Sequence, residues 1–126
     1  MNKIDKKILA VEDDQAIQKA LTDKLRFEGF AVFTASDGKK ALELAKSENP
    51  DMILLDLILP EKDGLAVLEE LKWDGATKDI PVIVLSNVSN EKVEEQARNR
   101  GVVDFMVKTD WRLDQIVEKI KHTLGI

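Results

Sequence analysis

Two periodicities alternate along the chain. Short apolar runs recur at Ile8-Leu9-Ala10-Val11, Ala31-Val32-Phe33, Met52-Ile53-Leu54-Leu55, Val82-Ile83-Val84-Leu85 and Val103 to Val107. A strand with one face in water alternates with polar residues, whereas a run that is apolar throughout reads as a strand covered on both faces. Between the runs lie segments of helical spacing. Ile17, Leu21 and Leu25 recur every four residues, with Ala20 beside them, and Gly29 follows as a stop. Ala41, Leu42 and Ala45 mark a second helix closed by Asn49-Pro50, and Leu65, Leu68 and Leu71 a third that starts after Asp63-Gly64. Val93 and Ala97 mark a shorter fourth, capped by Ser89 or Asn90 and ended before Gly101. Leu113, Ile116, Val117, Ile120 and Leu124 give the last and clearest amphipathic helix, with Asp110 as its expected cap.

Strand then helix, repeated five times, predicts an α/β fold: a parallel sheet with right-handed crossovers and helices on both faces. For a five-stranded (βα)5 chain the expected strand order is the flavodoxin-like 2-1-3-4-5. Such sheets bind ligands outside the carboxyl ends of the strands, where the order reverses.

Composition narrows the class. The 126 residues suit one domain over 1–126, with no linker, repeat or low-complexity segment. Cysteine is absent, which removes disulfides and thiolate metal sites and fits a reducing cytoplasm. A net charge of −5 offers no general attraction to nucleic acid or to an anionic membrane. The polar N-terminus and the short first apolar run predict no signal peptide and no membrane span, hence a soluble, cytoplasmic protein.

The strand ends carry the chemistry. The first strand runs into Glu12, Asp13 and Asp14, the third ends at Asp56, the fourth at Ser86 and Asn87, and the fifth at Lys108. Taken one at a time, each has a plain explanation: Asp14 as a helix cap, Lys108 as a surface residue, Ser86 as a turn residue. Together, on neighbouring strand tips, they predict one crevice. Glu12, Asp13 and Asp56 would repel one another unless a cation joins them. Oxygen donors with no His or Cys nearby favour a hard ion, Mg²⁺. A carboxylate nucleophile with Mg²⁺, a lysine and a hydroxyl suits in-line phosphoryl transfer onto Asp56.

With these motifs assembled, the sequence resembles the receiver domains of two-component response regulators along essentially its whole length. The resemblance rests on Ile8 to Asp13, on Asp51 to Pro60 continuing to Asp63-Gly64, on the apolar strand ending in Ser86, and on Gly101 to Lys108. It implies that Asp56 accepts a phosphoryl group from the phosphohistidine of a histidine kinase or phosphotransfer protein. Asp13 and Asp56 would ligate Mg²⁺ with the backbone carbonyl of Ile58, and Glu12 would act through a metal-bound water. Ser86 and Lys108 would hold phosphoryl oxygens. Ser86 and Phe105 would form the switch that reshapes the face of helix four, strand five and helix five, through which the chain meets a protein target or a second copy. On this reading it is a signalling switch rather than a conventional enzyme, and a receiver without an output domain.

Departures from the family pattern add expectations. Thr109 stands where the family has a proline after the lysine, so a trans bond is expected there, leaving the reach of Lys108 open. Asn87 would narrow access to Asp56, and Ile58 and Val88 offer no polar group to orient water, which predicts a long-lived phosphoryl group. His122 and the mixed charges of Lys92, Glu94, Glu95, Arg98 and Arg100 read as solvated helix faces, the latter also as a docking face. Three rival readings remain: a phosphorylation-independent scaffold, a flavin-binding electron carrier and an aspartyl phosphatase. The second needs an anion-cradling loop where Glu12-Asp13-Asp14 stand, and the third a carboxylate where Ile58 stands.

Overall fold

The computed structural model describes residues 4–60, 63–87 and 90–126. Strands and helices alternate as β1 (Lys7–Val11), α1 (Gln15–Phe27), β2 (Ala31–Ala35), α2 (Gly38–Glu48), β3 (Met52–Leu55), α3 (Gly64–Trp73), β4 (Val82–Ser86), α4 (Glu91–Asn99), β5 (Asp104–Val107) and α5 (Leu113–Leu124). Every strand pair is parallel and the sheet order is β2-β1-β3-β4-β5, as the sequence predicts.

The unbroken apolar runs follow from two cores, one on each side of the sheet. Leu9, Val11, Ile53, Leu55, Val84 and Phe105 pack with Ala41 and Ala45 of α2, Leu68 and Leu71 of α3, and Ala97 of α4. Ile8, Ala10, Met52, Leu54, Ile83 and Met106 pack with Leu21 and Leu25 of α1 and Ile116, Val117 and Ile120 of α5. Each fully buried Leu or Ile contributes about 1.5–3 kcal/mol, so successive residues of one strand stabilise opposite layers.

Local signals set the helix ends. Asp14 caps α1 by accepting from the Ala16 and Ile17 amides at 3.0 and 3.1 Å, and Asp63 caps α3 through the Leu65 amide at 3.0 Å. Asn90 caps α4 through Lys92 N at 2.9 Å; Ser89, the other candidate, lies outside the described residues. Asn49 closes α2 in the left-handed conformation at φ 47°, where a short polar side chain is tolerated.

Two expectations need correction. Asp110 does not cap the last helix: it lies in a 3₁₀ turn, Lys108–Asp110, and Arg112 is the cap residue, its amide donating to Gln115 Oε1 at 2.8 Å. Leu113 therefore opens α5 on the exposed side rather than in the core. Strand β5 starts at Asp104, and Val103 is exposed although its amide still bonds Val82 O at 2.8 Å.

One close approach ties the fold to the strand ends. A Cβ on Gly64 would lie 2.3 Å from Leu57 Cα, so only glycine lets the start of α3 pack on the segment that follows Asp56. The Gly64 amide bonds Leu57 O at 3.0 Å across that contact. Gly64→Ala is expected to cost about 1–3 kcal/mol, as overpacking does, read as a lower urea midpoint. Gly75→Ala, whose Cβ would meet nothing within 4 Å, is expected to leave the midpoint unchanged or slightly raised.

Candidate functional site

Sheet register brings the site together. Val11 pairs with Leu55 across β1 and β3, so the residues that follow, Glu12 and Asp56, emerge side by side. The Asp56 amide donates to Val11 O at 3.0 Å and the Glu12 amide to Ala35 O at 2.9 Å, which carries the ladder just past the strand ends. Ser86 pairs with Val107 across β4 and β5, which sets Lys108 at the same end of the sheet.

Glu12, Asp13 and Asp56 each present a carboxylate oxygen within 4.8 Å of the others. Glu12 and Asp56 are only 3% and 5% exposed, while Asp13 faces solvent. The Lys108 ammonium bridges the two buried carboxylates, donating to Glu12 Oε1 and, at 3.0 Å, to Asp56 Oδ2. The remaining oxygens are also engaged. Glu12 Oε2 accepts from the Asp14 amide at 3.1 Å, and Asp56 Oδ1 from the Ile58 amide at 3.0 Å.

These contacts have opposing effects on the protons. Burial holds the Glu12 carboxyl above its ordinary 4.5; the Lys108 and Asp14 hydrogen bonds oppose that rise, and the charge of Asp56 adds to it. Burial pulls the Lys108 ammonium down, but hydrogen bonds to Glu12 and Asp56 outweigh it and hold the group above 10.5. Lys108 is thus a fixed positive charge near neutral pH. Its reach does not depend on a proline at the next position, since no cis bond occurs among the described residues and Lys108 still contacts Asp56.

A cleft of about 180 Å³ opens over this cluster, lined by Glu12, Asp13, Asp14, Ile17, Asp56, Ile58, Asn87 and Lys108. Ile58, 55% exposed, and Asn87, also exposed, are among its lining residues. Val88 lies outside the described residues. Ser86 is fully buried at the end of β4 and does not line the cleft, and Phe105 is buried beside Val84 in the core under α4. The all-oxygen donor set suits a hard divalent cation, which answers the crowding of three carboxylates. Sequence reasoning missed an apolar groove of about 200 Å³ that shares Ile17, Asn87 and Lys108 with the cleft and continues over Trp111 and Leu113. It also missed Gln18, whose side-chain amide donates to Glu12 O at 2.8 Å. The exposure of Trp111 and Leu113 had no helical period to betray it.

A parallel sheet of this order, with an acidic cluster and a bridging lysine at its carboxyl ends, defines the signal-receiver class. The chain matches the response regulator receiver domain family over residues 8–121 and belongs to it; it is a signalling domain of two-component systems. It is 33% identical to response regulator MprA of Mycobacterium leprae over 94% of this chain and 50% of that protein. The chain therefore spans about half the length of the curated relatives it matches. Among solved structures, the phosphorylated cyanobacterial phytochrome response regulator RcpA is 38% identical, with a TM-score of 0.81 over 92% of this chain and 91% of that one. The receiver domain of sensor histidine kinase PA1611 from Pseudomonas aeruginosa, with magnesium coordinated in its active-site cleft, is 26% identical, with a TM-score of 0.86 over 96% of this chain and 98% of that one. Among the described residues no helix is long and apolar enough to cross a membrane.

The raised Glu12 carboxyl has a consequence for stability. The folded state holds this proton more tightly than the unfolded chain, so the group favours folding below pH 4.5, and that contribution is lost as pH rises through the folded value. In metal-free buffer Glu12→Gln is expected to gain stability relative to wild type as pH rises from about 4.5 to neutrality, read from urea midpoints. A difference that stays flat or moves the other way contradicts the assignment.

Proposed function

We propose that this chain is a phosphorelay receiver, one domain over residues 1–126, in which Asp56 accepts a phosphoryl group from the phosphohistidine of a histidine kinase or phosphotransfer protein. The observation that carries this reading is Asp56 itself, buried at the end of β3 with one oxygen 3.0 Å from Lys108 and two further carboxylates beside it. A carboxylate oxygen of Asp56 attacks phosphorus in line, the phosphorus–nitrogen bond to the donor imidazole, which carries a proton on its other ring nitrogen, breaks, and an acyl phosphate forms as neutral imidazole leaves. Lys108 passes from the carboxylate to a phosphoryl oxygen and keeps a positive charge beside the site throughout.

Asp13, Asp56 and the Ile58 carbonyl would hold Mg²⁺, with Glu12 acting through a water. Bound there, the ion supplies positive charge against the phosphoryl oxygens.

Signalling follows from a shift between two packings. Ser86, fully buried before phosphorylation, moves its hydroxyl toward the phosphoryl group, and Phe105 packs into the space it leaves. The face that responds is α4–β5–α5, where Asp104 pairs with Arg98 at 3.4 Å and Lys119 at 2.9 Å. This face meets a protein target or a second copy of the chain. The net charge of −5 favours protein over nucleic acid or an anionic membrane as the partner.

With acetyl phosphate and Mg²⁺, wild type is expected to gain one phosphoryl mass and Asp56→Asn none. An unlabelled wild type, or a mutant labelled equally, overturns the reading in favour of a phosphorylation-independent scaffold. The exposed apolar Ile58 on the cleft further implies slow loss of the phosphoryl group, because its side chain offers no polar atom to orient an attacking water. Ile58→Asn and Val88→Glu are each expected to speed decay of the acyl phosphate several-fold, followed by intact mass over time. Decay at the wild-type rate in both variants removes the claim.

A further inference from the structure

Glu12 and Asp13 sit on the turn between β1 and α1, and the side chain of Gln18, from the first turn of the helix, reaches back to that turn. The Nε2 of Gln18 donates to Glu12 O at 2.8 Å. The same nitrogen lies 3.4 Å from Ala35 O and 3.3 Å from Ser36 Oγ, at the end of β2. Ala35 O also accepts from the Glu12 amide, so both sides of Glu12's backbone are tied to the neighbouring strand. A peptide unit is planar, and fixing the Glu12 carbonyl fixes the plane from which Asp13 departs. Asp13 is exposed, so its direction is set by that backbone rather than by packing. Gln18 itself is half-buried and anchored, its own amide bonding Asp14 O at 2.9 Å.

We propose that Gln18 is a positioning residue for the divalent cation: by clamping the Glu12–Asp13 peptide to the end of β2, it holds the Asp13 carboxylate where it converges with Asp56. This rests on the metal site proposed above. Groups that orient metal ligands typically change affinity 10–100-fold when removed, and an exposed ligand held through one carbonyl falls near about tenfold.

The test is Mg²⁺ affinity of the full chain by calorimetry, with urea midpoints recorded for every variant. Gln18→Met keeps the length but has no donor, and is expected to bind Mg²⁺ about tenfold more weakly while remaining folded. Gln18→Glu, a second donorless variant, is expected to be at least as weak. Gln18→Arg restores an N–H donor and is expected to return close to wild type. A merely structural role would instead lower the midpoints and leave the affinity of folded protein unchanged. Wild-type affinity in a folded donorless variant, or Gln18→Arg as weak as Gln18→Met, overturns the inference. Asp13→Asn separates the two claims. If wild type binds, Asp13→Asn does not, and Gln18→Met binds normally, the role of Gln18 alone is lost. If wild type itself binds no Mg²⁺, the metal site and this inference fall together.

Discussion

Three carboxylates at the tips of two adjacent strands repel one another, and the ammonium of Lys108 makes their closeness tolerable. Its side chain is only 11% exposed, and those of its partners Glu12 and Asp56 are 4% and 6% exposed. Charges so placed act on one another with little screening by solvent. Removing one member of such a set leaves its partner charged without compensation, commonly a loss of about 3–5 kcal/mol. One ammonium does not balance three carboxylates, and the remaining negative charge would favour a second cation in the cleft. The placement of β5 and the packing of α5 beneath it thus serve the electrostatics of residues at the other end of the sequence.

That arrangement also divides the site into a fixed and a yielding half. On the β1–β3 side, backbone bonds run past the strand ends, Gly64 locks the segment after Asp56, and Asp14 and Gln18 hold the acidic turn. On the β4–β5 side sit Ser86 and Phe105, the pair proposed to switch, both buried and neither lining the cleft. On the proposed function, chemistry would fall on the more constrained half and response on the other, since a nucleophile must be held still while an output face must not be.

The fold was legible because parallel strands buried on both faces leave unbroken apolar runs, and the sheet order followed from the alternation. The acidic cluster and Lys108 were legible because each stands directly after such a run. What escaped had no such marker. Helical spacing counts apolar residues without knowing which way they face, so the exposure of Leu113 went unread and Asp110 was made a cap. A strand end cannot be read to one residue, and Val103 fell outside. Gln18 acts across to β2 through an amide, a contact that leaves no periodic trace.

The bridge made by Lys108 spans 96 residues to Glu12 and 52 to Asp56. During synthesis Asp56 therefore emerges well before the ammonium that accompanies it, by roughly 3–10 s at ordinary elongation rates. Until β5 docks, the nascent chain carries Asp56 without its positive partner and with the carboxylates that follow β1 unneutralised. A chain cut short before β5 holds every acidic residue of the cluster yet lacks the ammonium that bridges two of them.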